Sequence, residues 1–381
     1  MARVIAAGTF DPDFGRNRRL ISLLEAAGHE IVICQADLYG SVKYDIVQQG
    51  KIGMLARSLV AYPRLLWRFA TMPRADAALV MYPGWFDMIM LGVVARVRRI
   101  PVVFDIYISL SDTIVGDRRL ASGGSIIGRL SRLVDRLSIR SADRVLADTP
   151  EHAELYARLG GISRDRIGVV WVGADDEVFR PRPEIEPAAR RVLFYGNFIK
   201  LHGVDVIVRA AKLLEGDGIE FRIIGTGQEL ENIERLIEEL DTSNIELVGR
   251  VPLTELPAEI AAATVCCGIF GVSAKAGRVV PNKVFECAAV GRPVVTGDTP
   301  AMRRAFTGAE VALVSPGDAD ALARAIRELL ADPDQREAMA AAAHRHYLAE
   351  YAGGSLTRQL EDDFRAAIQA APRPRRSMLR R

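Results

Sequence analysis

A lysine and a glutamate three positions apart, Lys283 and Glu286, are the residues whose spacing most clearly predicts chemistry. They lie in residues 278–298, a segment whose pattern predicts a loop, a short helix, a sharp stop and a buried strand. We expect Asn282 to cap the helix and Gly291 to supply the left-handed residue that ends it. A helix that begins at the carboxyl end of a parallel sheet directs free N–H groups and its dipole towards an anion. A lysine for phosphate and a carboxylate for hydroxyls therefore predict a nucleotide-sugar site.

This segment resembles the donor-binding motif of glycosyltransferase family 4, whose members are retaining, metal-independent enzymes of the GT-B fold. In that family two glutamates lie eight positions apart, and the second holds the ribose of the nucleotide sugar. Glu286, followed by Cys-Ala-Ala-Val-Gly-Arg-Pro-Val-Val, matches the second glutamate and its flank. Arg278 stands where the first glutamate normally contacts the transferred sugar. The resemblance implies that Glu286 holds the ribose; the alternative is an ordinary exposed helix glutamate.

The resemblance covers most of the chain. The other matching segments are residues 143–151, 167–181, 221–229 and 244–252. The first two look like the end of a family 4 N-terminal domain, and the last two are similar to the loops that flank the nucleotide base. The resemblance therefore implies donor contacts from Gly225, Arg250 and Val251.

The loop after the first strand of the second half is expected to carry the diphosphate. Family members usually have Arg at the place of Asn197 and Lys at the place of His202, and both neutralise phosphate. Lys200 is a candidate substitute, and we expect His202 to donate to phosphate, more strongly when protonated. The alternative for His202 is a helix-capping residue on a solvated loop. Because Lys283 and Arg278 add positive charge near the same place, we interpret the chain as a divergent subgroup of the family.

Candidate acceptor residues in the first half follow its first and fourth strands. Gly15 permits close backbone approach at a helix N-terminus, where the family places a glycine-rich loop near the donor phosphates or the acceptor. Arg16 begins a basic run where we expect no core to need charge; the alternative is a turn capped by Asp13. Asp105 and Asp112 flank the next loop and are predicted to contact an acceptor hydroxyl. The alternative for Asp105 is a cap of that loop.

The reaction that the resemblance implies is glycosyl transfer with retention. Family members are thought to use no enzyme nucleophile, because the leaving diphosphate accepts the acceptor's proton as the C–O bond breaks. Catalysis is then mostly positioning and stabilisation of the departing charge, with Arg278, Lys283 and Asp105 as catalytic candidates. The implied partners are a nucleotide sugar, UDP-linked rather than GDP-linked, and a glycan, lipid-linked or small-molecule acceptor, with no metal and no cofactor. Two alternatives stay open: a catalytically silent nucleotide-sugar-binding subunit, and a GT-B epimerase.

The overall composition restricts the kinds of protein to which the chain can belong. The chain has 381 residues, of which 49% are hydrophobic and 26% are charged, which fits two globular domains. A formal charge of +2 gives no reason to expect nucleic acid as a partner. The four cysteines, which are Cys34, Cys266, Cys267 and Cys287, have no metal-binding spacing. They predict small buried hydrophobes in a reducing cytoplasm, and we expect a cytoplasmic protein.

Short β-branched runs alternate with amphipathic helices along both halves, which is typical of parallel sheets covered on both faces. We predict the α/β class and a GT-B fold, with two doubly wound, Rossmann-like domains facing a central cleft. The predicted strands are residues 3–7, 30–34, 77–81, 102–105, 145–147 and 168–171, and then 191–195, 221–224, 246–248, 265–270, 293–296 and 311–314. Residues 1–180 are predicted to form an acceptor-binding domain and residues 188–352 a donor-binding domain, joined by a proline-rich linker. Residues 353–371 are predicted to be a helix that returns to the first domain.

Two basic segments predict contact with a membrane surface. Residues 51–70 combine arginines and Trp67 with an apolar side made of Ile52, Leu55, Leu59 and Leu66. Residues 372–381 form an arginine-rich tail that we expect to be disordered. Together they favour peripheral association with the inner face of the membrane, close to a lipid-linked acceptor. The alternative for residues 51–70 is a core helix with a solvated face, since Pro63 interrupts the pattern.

Overall fold

A computed structural model describes residues 1–36, 38, 51–117 and 122–370, without the side chains of residues 51–56 and 115–117. The chain divides into two compact units. The first unit comprises residues 1–170 and the segment from residue 357 onward, and the second comprises residues 171–356.

The first unit is built on a sheet of six parallel strands in the order β2-β1-β3-β4-β5-β6. The strands are β1 (Arg3–Gly8), β2 (Glu30–Gln35), β3 (Ala77–Val80), β4 (Val102–Asp105), β5 (Arg144–Ala147) and β6 (Ile167–Val169). The helices are α1 (Gly15–Ala26), α2 (Lys51–Thr71), α3 (Trp85–Arg98), α4 (Ile126–Ser141) and α5 (Pro150–Gly160). Every residue of β3 and β4 is buried, because helices cover both faces of a parallel sheet.

The second unit repeats this design with the strand order β12-β11-β10-β7-β8-β9. Its strands are β7 (Arg191–Asn197), β8 (Glu220–Thr226), β9 (Ile245–Val248), β10 (Val265–Cys267), β11 (Val294–Gly297) and β12 (Ala312–Val314). Its helices are α6 (Val204–Leu213), α7 (Leu230–Glu239), α8 (Leu256–Ala262), α9 (Asn282–Val290), α10 (Pro300–Ala305), α11 (Ala319–Ala331) and α12 (Pro333–His346). This is the dinucleotide-fold order, which reverses between β7 and β10. Ligands of such sheets bind beyond the carboxyl ends of the strands at that reversal.

The last helix, α13 (Gly353–Ala370), packs with the first unit from residue 357 onward. Asp363 lies 2.6 Å from the Arg144 guanidinium, and it also fills the space beside Gly168, where a Cβ atom would lie 2.0 Å from its carboxylate. The second unit begins at residue 171, earlier than the predicted domain boundary at residue 180. The predicted basic tail, residues 372–381, lies outside the described residues.

The prediction of two Rossmann-like domains is confirmed, and a strand lies at each predicted position. The predicted strands 168–171 and 265–270 are too long, since β6 ends at Val169 and β10 at Cys267, where the chain turns into loops. The four cysteines are buried and unbridged, as expected. Across the described helices, none is both long and apolar enough to cross a membrane.

The predicted apolar side of α2 is wrong in part. Leu66 is partly buried and packs against the core of the first unit, and Phe69 is fully buried. Leu59 and Trp67 are exposed instead. The buried face of α2 instead carries Ala61, Leu65 and Phe69, which recur every four residues along a different side of the helix. The side chains of Ile52 and Leu55 lie outside the described residues.

Candidate functional site

Helix α9 follows β10 and precedes β11 in the chain, and it places the predicted lysine and glutamate beside the carboxyl end of β7. Its N-cap is Pro281, whose side chain makes no cap hydrogen bond, so the prediction that Asn282 caps the helix is wrong. Proline takes this place because its fixed φ fits the extended cap conformation, which leaves Asn282 as the first helical residue. Gly291 adopts φ +81° after the last turn, as predicted. The orphan N–H groups of the first turn therefore have no side-chain acceptor at the cap.

Lys283 carries a buried ammonium group with no hydrogen-bond acceptor among the described residues. The residue is only 5% exposed, and its Nζ lies 4.3 Å from the ring centroid of Phe194 on β7. Burial lowers the pKa of Lys283 to about 7, although Glu286 opposes the shift. A buried cation without a hydrogen-bond acceptor among the described residues costs free energy, and an anionic ligand would recover it.

Glu286 lies one turn after Lys283 and is held by Tyr195 of β7. The hydroxyl of Tyr195 donates to Oε2 of Glu286 at 2.7 Å. Burial raises the pKa of Tyr195 well above its ordinary value, so this phenol stays a donor. Burial also raises the pKa of Glu286, while the Tyr195 hydrogen bond and the Lys283 charge oppose that shift. Oε1 has no donor within the described part of the chain, so a ligand hydroxyl can take that place.

The main chain of Gly196 passes directly beside the ammonium. A Cβ atom at this position would lie 3.2 Å from Lys283 Nζ and 3.3 Å from Cε1 of His202, and the backbone has φ +146°. Gly225, paired with Gly196 on β8, was predicted to contact the donor. A Cβ atom there would lie 1.9 Å from Gly196 O, so Gly225 lets the two strand ends approach each other. The glycine pair keeps the floor of the site open.

His202 is neutral in this arrangement. Its Nδ1 lies 2.5 Å from the carbonyl oxygen of Asn197, which can only accept, so Nδ1 carries the ring proton. Burial and the charges of Lys283 and Lys275 lower the pKa of His202 well below its ordinary value. Nε2 therefore has no proton to donate, and the predicted donation to phosphate requires a second proton that arrives with the anion.

Lys275, in the loop after β10, was missed by the sequence reasoning. It is 8% exposed, and its charge reaches His202. It precedes the matched motif, and a lysine in a loop carries no periodic signal. The glycine and small residues around it, directly after a buried strand, were the available hint. The positive charge expected from the loop after β7 thus comes from the loop after β10 and from α9.

The other predicted donor residues lie in loops of the second unit. Lys200 is exposed and lines a cavity of about 490 Å³ with Asp205 and Glu229, and neither Lys283 nor Glu286 lines that cavity. Asn197 is exposed at the end of β7, and its carbonyl oxygen is the acceptor for His202. Arg250 and Val251 follow the edge strand β9, and Arg278 is partly buried and ends a 3₁₀ turn. Their roles stay predictions.

In the first unit, Arg16 and Asp105 form a buried ion pair. Arg16 Nη2 lies 2.9 Å from Asp105 Oδ1, and Nη1 donates to the carbonyl of Val170 at 2.7 Å. Both side chains are at most 1% exposed. The expectation that no core needs charge at Arg16 is therefore wrong, and so is the prediction that Asp105 faces an acceptor. The pair joins α1 to the ends of β4 and β6.

The turn before α1 also differs from expectation. Phe14 is the N-cap, and Asp11 rather than Asp13 closes the turn, since its Oδ1 accepts the N–H of Asp13 at 2.9 Å. Gly15 has open space where a Cβ atom would lie, so no contact within the chain requires glycine there. Its proposed approach to a ligand stays a prediction.

Asp112 begins a short π-helical turn, Asp112–Asp117, and is partly buried. The loop that carries it is held by Asp135 of α4, which accepts from Ser109 Oγ at 2.8 Å and from the N–H of Ser111 at 2.9 Å. Beside this loop, the rings of Phe14, Tyr82 and Tyr107 lie 5.2–5.9 Å apart. This partly exposed aromatic cluster was missed because its members come from three separate loops.

The described residues contain no group of three or more His, Cys, Asp or Glu residues that could hold a metal ion. The expectation of metal-independent chemistry stays a prediction.

The chain is similar to known glycosyltransferases over most of its length. Residues 189–332 match the family model described as glycosyl transferases group 1, and residues 16–173 match the glycosyl transferase 4-like domain. The chain is 29% identical over 318 residues to a D-inositol 3-phosphate glycosyltransferase of Kribbella flavida, covering 75% of this chain and 72% of the relative. It is 26% identical over 239 residues to the lipopolysaccharide core biosynthesis glycosyltransferase LpsE of Rhizobium meliloti, covering 62% and 68%.

Two solved structures share the fold at low sequence identity. Sucrose-phosphate synthase from Thermosynechococcus elongatus superimposes with a TM-score of 0.72 at 20% identity, covering 97% of this chain and 99% of that one. Anabaena HepE in complex with UDP-glucose superimposes with a TM-score of 0.70 at 12% identity, covering 96% and 100%. The two family models together match most of the chain, which therefore belongs to the glycosyltransferases of the group 1 and family 4 type. It has their two-domain GT-B fold.

Proposed function

We propose that this chain transfers a sugar from a nucleoside diphosphate sugar to an acceptor hydroxyl with retention and without a metal ion. The observation that carries the proposal is the buried ammonium of Lys283, which has no acceptor among the described residues and lies beside the bare main chain of Gly196. It occupies the point of the second sheet at which the strand order reverses. An anionic group of the donor supplies the acceptor that Lys283 does not find among the described residues.

In this proposal each part of the cluster has one task. The N–H groups at the start of α9, with Lys283 and Lys275, hold the diphosphate and stabilise its charge as the glycosidic bond breaks. Oε1 of Glu286 accepts from a ribose hydroxyl while Tyr195 fixes the other carboxylate oxygen. Arg278 lies next to the transferred sugar, where it bridges a sugar hydroxyl and the β-phosphate. The leaving diphosphate then accepts the acceptor's proton.

We propose UDP as the nucleotide, since HepE was solved with UDP-glucose, and an acceptor hydroxyl on a glycan, a lipid-linked glycan or a small polyol. Asp112 is our candidate for contact with that acceptor, with the aromatic cluster of Phe14, Tyr82 and Tyr107 as the apolar face on which a sugar ring packs. Asp105 acts through Arg16 and positions the loop after β4, because both of its oxygens are occupied by that guanidinium.

The decisive experiment is calorimetric binding of UDP to the full chain and to two variants. Lys283→Met should weaken binding by at least tenfold, because the diphosphate loses its buried counter-charge. Glu286→Gln should lose about 1.5–3 kcal/mol, the range for a hydrogen bond to a charged group. The matched control is Lys212→Met, which changes a lysine in the last turn of α6 that pairs with Glu215 and should bind as the parent does. Parental affinity in a folded Lys283→Met variant would refute the site.

A catalytically silent nucleotide-sugar-binding subunit is the second candidate. It is favoured by one observation, the arginine at position 278, where the family has a glutamate that contacts the transferred sugar. The two candidates predict the same UDP affinity and differ in turnover. Release of UDP from UDP-glucose in the presence of acceptor supports the transferase, whereas tight binding with no release for any acceptor supports the silent subunit.

A further inference from the structure

Helix α4 has its apolar side turned towards solvent. The exposed fractions of its large apolar residues are 83% for Ile126, 57% for Ile127, 58% for Leu130, 49% for Leu133 and 43% for Leu137. These positions recur every three to four residues and therefore form one stripe along the helix. A helix on a globular domain normally buries such a stripe.

The face of α4 that packs on the first unit is small and polar instead. Its buried residues are Gly128, Ser131, Val134, Asp135, Ser138 and Ile139. Asp135 on this face accepts from Ser109 Oγ at 2.8 Å and from the N–H of Ser111 at 2.9 Å. These hydrogen bonds hold the polar side of α4 against the unit and leave the apolar stripe outside.

Arginines lie beside the stripe. The exposed basic residues of α4 are Arg129, Arg132, Arg136 and Arg140, and none of them has a carboxylate partner within the described residues. The one acidic residue of this helix, Asp135, is buried beneath it. Neighbouring α3 continues the same composition: Arg96 donates to Ser141 O at the end of α4 at 3.1 Å, and Val93 and Val97 are exposed.

We propose that this surface, the α4 face, binds an anionic lipid bilayer. An apolar stripe flanked by unpaired arginines is complementary to acyl chains below anionic headgroups. A second copy of the chain fits less well, because a two-fold contact would bring the same arginines of both copies together. A helix of this length, roughly 24 Å at 1.5 Å per residue, lies along the interface rather than across it.

The α4 face is also coupled to the predicted acceptor loop. Asp135 projects from the buried side of α4 and holds Ser109 and Ser111, three residues or fewer before Asp112. A bilayer bound to α4 would therefore position that loop next to the membrane surface, where a lipid-linked acceptor resides. This last step rests on the proposed function; binding of the bilayer does not.

The test is co-sedimentation of the full chain with vesicles. We expect binding to vesicles of phosphatidylcholine and phosphatidylglycerol in equal parts, weak binding to phosphatidylcholine alone, and loss of binding at high salt. The variant with Leu130→Gln, Leu133→Gln and Leu137→Gln should lose most of the binding, and Arg129→Gln with Arg132→Gln should weaken it by about fivefold per arginine. UDP affinity should be unchanged in all of these variants, which separates this test from that of the donor site.

The matched control changes leucines of the second unit that are equally exposed, Leu213→Gln and Leu348→Gln, and should bind vesicles as the parent does. The substituted leucines are exposed, and a parental thermal transition will show that the triple variant is folded. Parental binding by that variant would assign the membrane contact to α2 or to the basic tail and overturn the proposal. A dimer in sedimentation equilibrium that the triple variant dissolves, with no vesicle binding by the parent, would also overturn it.

Discussion

Both units bring charged side chains to the carboxyl ends of parallel strands, but they neutralise those charges differently. In the first unit, the Arg16 guanidinium and the Asp105 carboxylate are fully buried and use each other's hydrogen-bonding groups. In the second unit, the Lys283 ammonium is buried to nearly the same extent and has no acceptor within the described residues. The first arrangement is complete without a ligand, and the second becomes complete only when an anion arrives.

This difference separates residues that position a loop from residues that bind a ligand. The charged groups of both units are buried, so neither burial nor charge alone identifies the ligand-binding site. The hydrogen-bond partners of each buried charge identify it instead. An isolated buried charge costs several kcal/mol, so it persists in a protein only where another interaction offsets that cost. Substitutions that remove one charge at a time test this difference between the two units.

The largest effect is expected when Asp105 is removed. Asp105→Ala removes the carboxylate that is hydrogen-bonded to the buried Arg16 guanidinium, which should lower the free energy of unfolding by about 3–5 kcal/mol. Urea denaturation of the first unit's transition measures this loss. The exposed Glu154→Ala on α5 serves as control and should change stability by less than about 0.5 kcal/mol. If the double variant Arg16→Met with Asp105→Leu stayed as unstable as Asp105→Ala, the cost would not come from the unpaired charge.

Removing Lys283 should have the opposite sign. Lys283→Met replaces a buried ammonium that has no hydrogen-bond acceptor among the described residues with an apolar chain of similar length, so the free protein should be as stable as the parent or more stable, by about 1–4 kcal/mol. The same variant should gain much less stability from UDP than the parent, which gains about 2.7 kcal/mol at one hundred times its dissociation constant. A destabilisation as large as that of Asp105→Ala would mean that Lys283 has an internal partner.

The fold and the core of the donor site could be predicted from local patterns. Alternating β-branched runs predict parallel strands, and Gly291 with Pro293 marks the end of α9, because both signals depend on neighbours in sequence. The Lys283 and Glu286 spacing was informative for the same reason, as both residues project from one short helix.

Partners that are distant in sequence could not be predicted. The carboxylate that neutralises Arg16 lies eighty-nine positions away on β4, and Tyr195, which holds Glu286, lies ninety-one positions before it. A charged residue is predicted to be solvent-exposed as long as its partner is unknown. For this reason the prediction for Arg16 was wrong. The orientation of α4 was hidden for the same reason, since only the packed structure shows that its polar side is the buried one.

The pH dependence of donor binding is a further test of the difference between the two units. Burial lowers the pKa of Lys283 from 10.5 to about 7 in the free protein, and a bound diphosphate raises it again. Between pH 7 and the pKa of the complex, binding therefore takes up a proton, so UDP affinity should fall with rising pH by at most about tenfold per unit. The free energy of unfolding of the free protein should rise with pH over this range, because unfolded Lys283 holds its proton up to about pH 10.5 and the folded form does not.

Calorimetry at pH 7, 8 and 9 in buffers of different ionisation enthalpy measures the proton uptake directly. The Lys283→Met variant is the control, and its weak residual binding should be independent of pH over this range. An affinity that rises with pH, or a slope that survives in Lys283→Met, would remove Lys283 as the titrating group.

The smallest effect is expected at Tyr195, and it divides the site into its two halves. Tyr195→Phe deletes the hydroxyl that donates to Glu286 Oε2 at 2.7 Å and keeps the ring in the core of the second unit. The carboxylate is then free to rotate and its pKa rises further, so its hold on the ribose weakens by about 1 kcal/mol, close to fivefold in affinity for UDP.

Pyrophosphate has no ribose and should bind Tyr195→Phe as it binds the parent, whereas Lys283→Met should weaken the binding of both ligands. Tyr351→Phe, which removes a buried hydroxyl that donates to Ala305 O at 2.6 Å, is the matched control and should leave UDP affinity unchanged. Equal losses for UDP and pyrophosphate in Tyr195→Phe would show that Tyr195 supports the whole of α9, and Glu286 would then lose its separate role as the ribose acceptor.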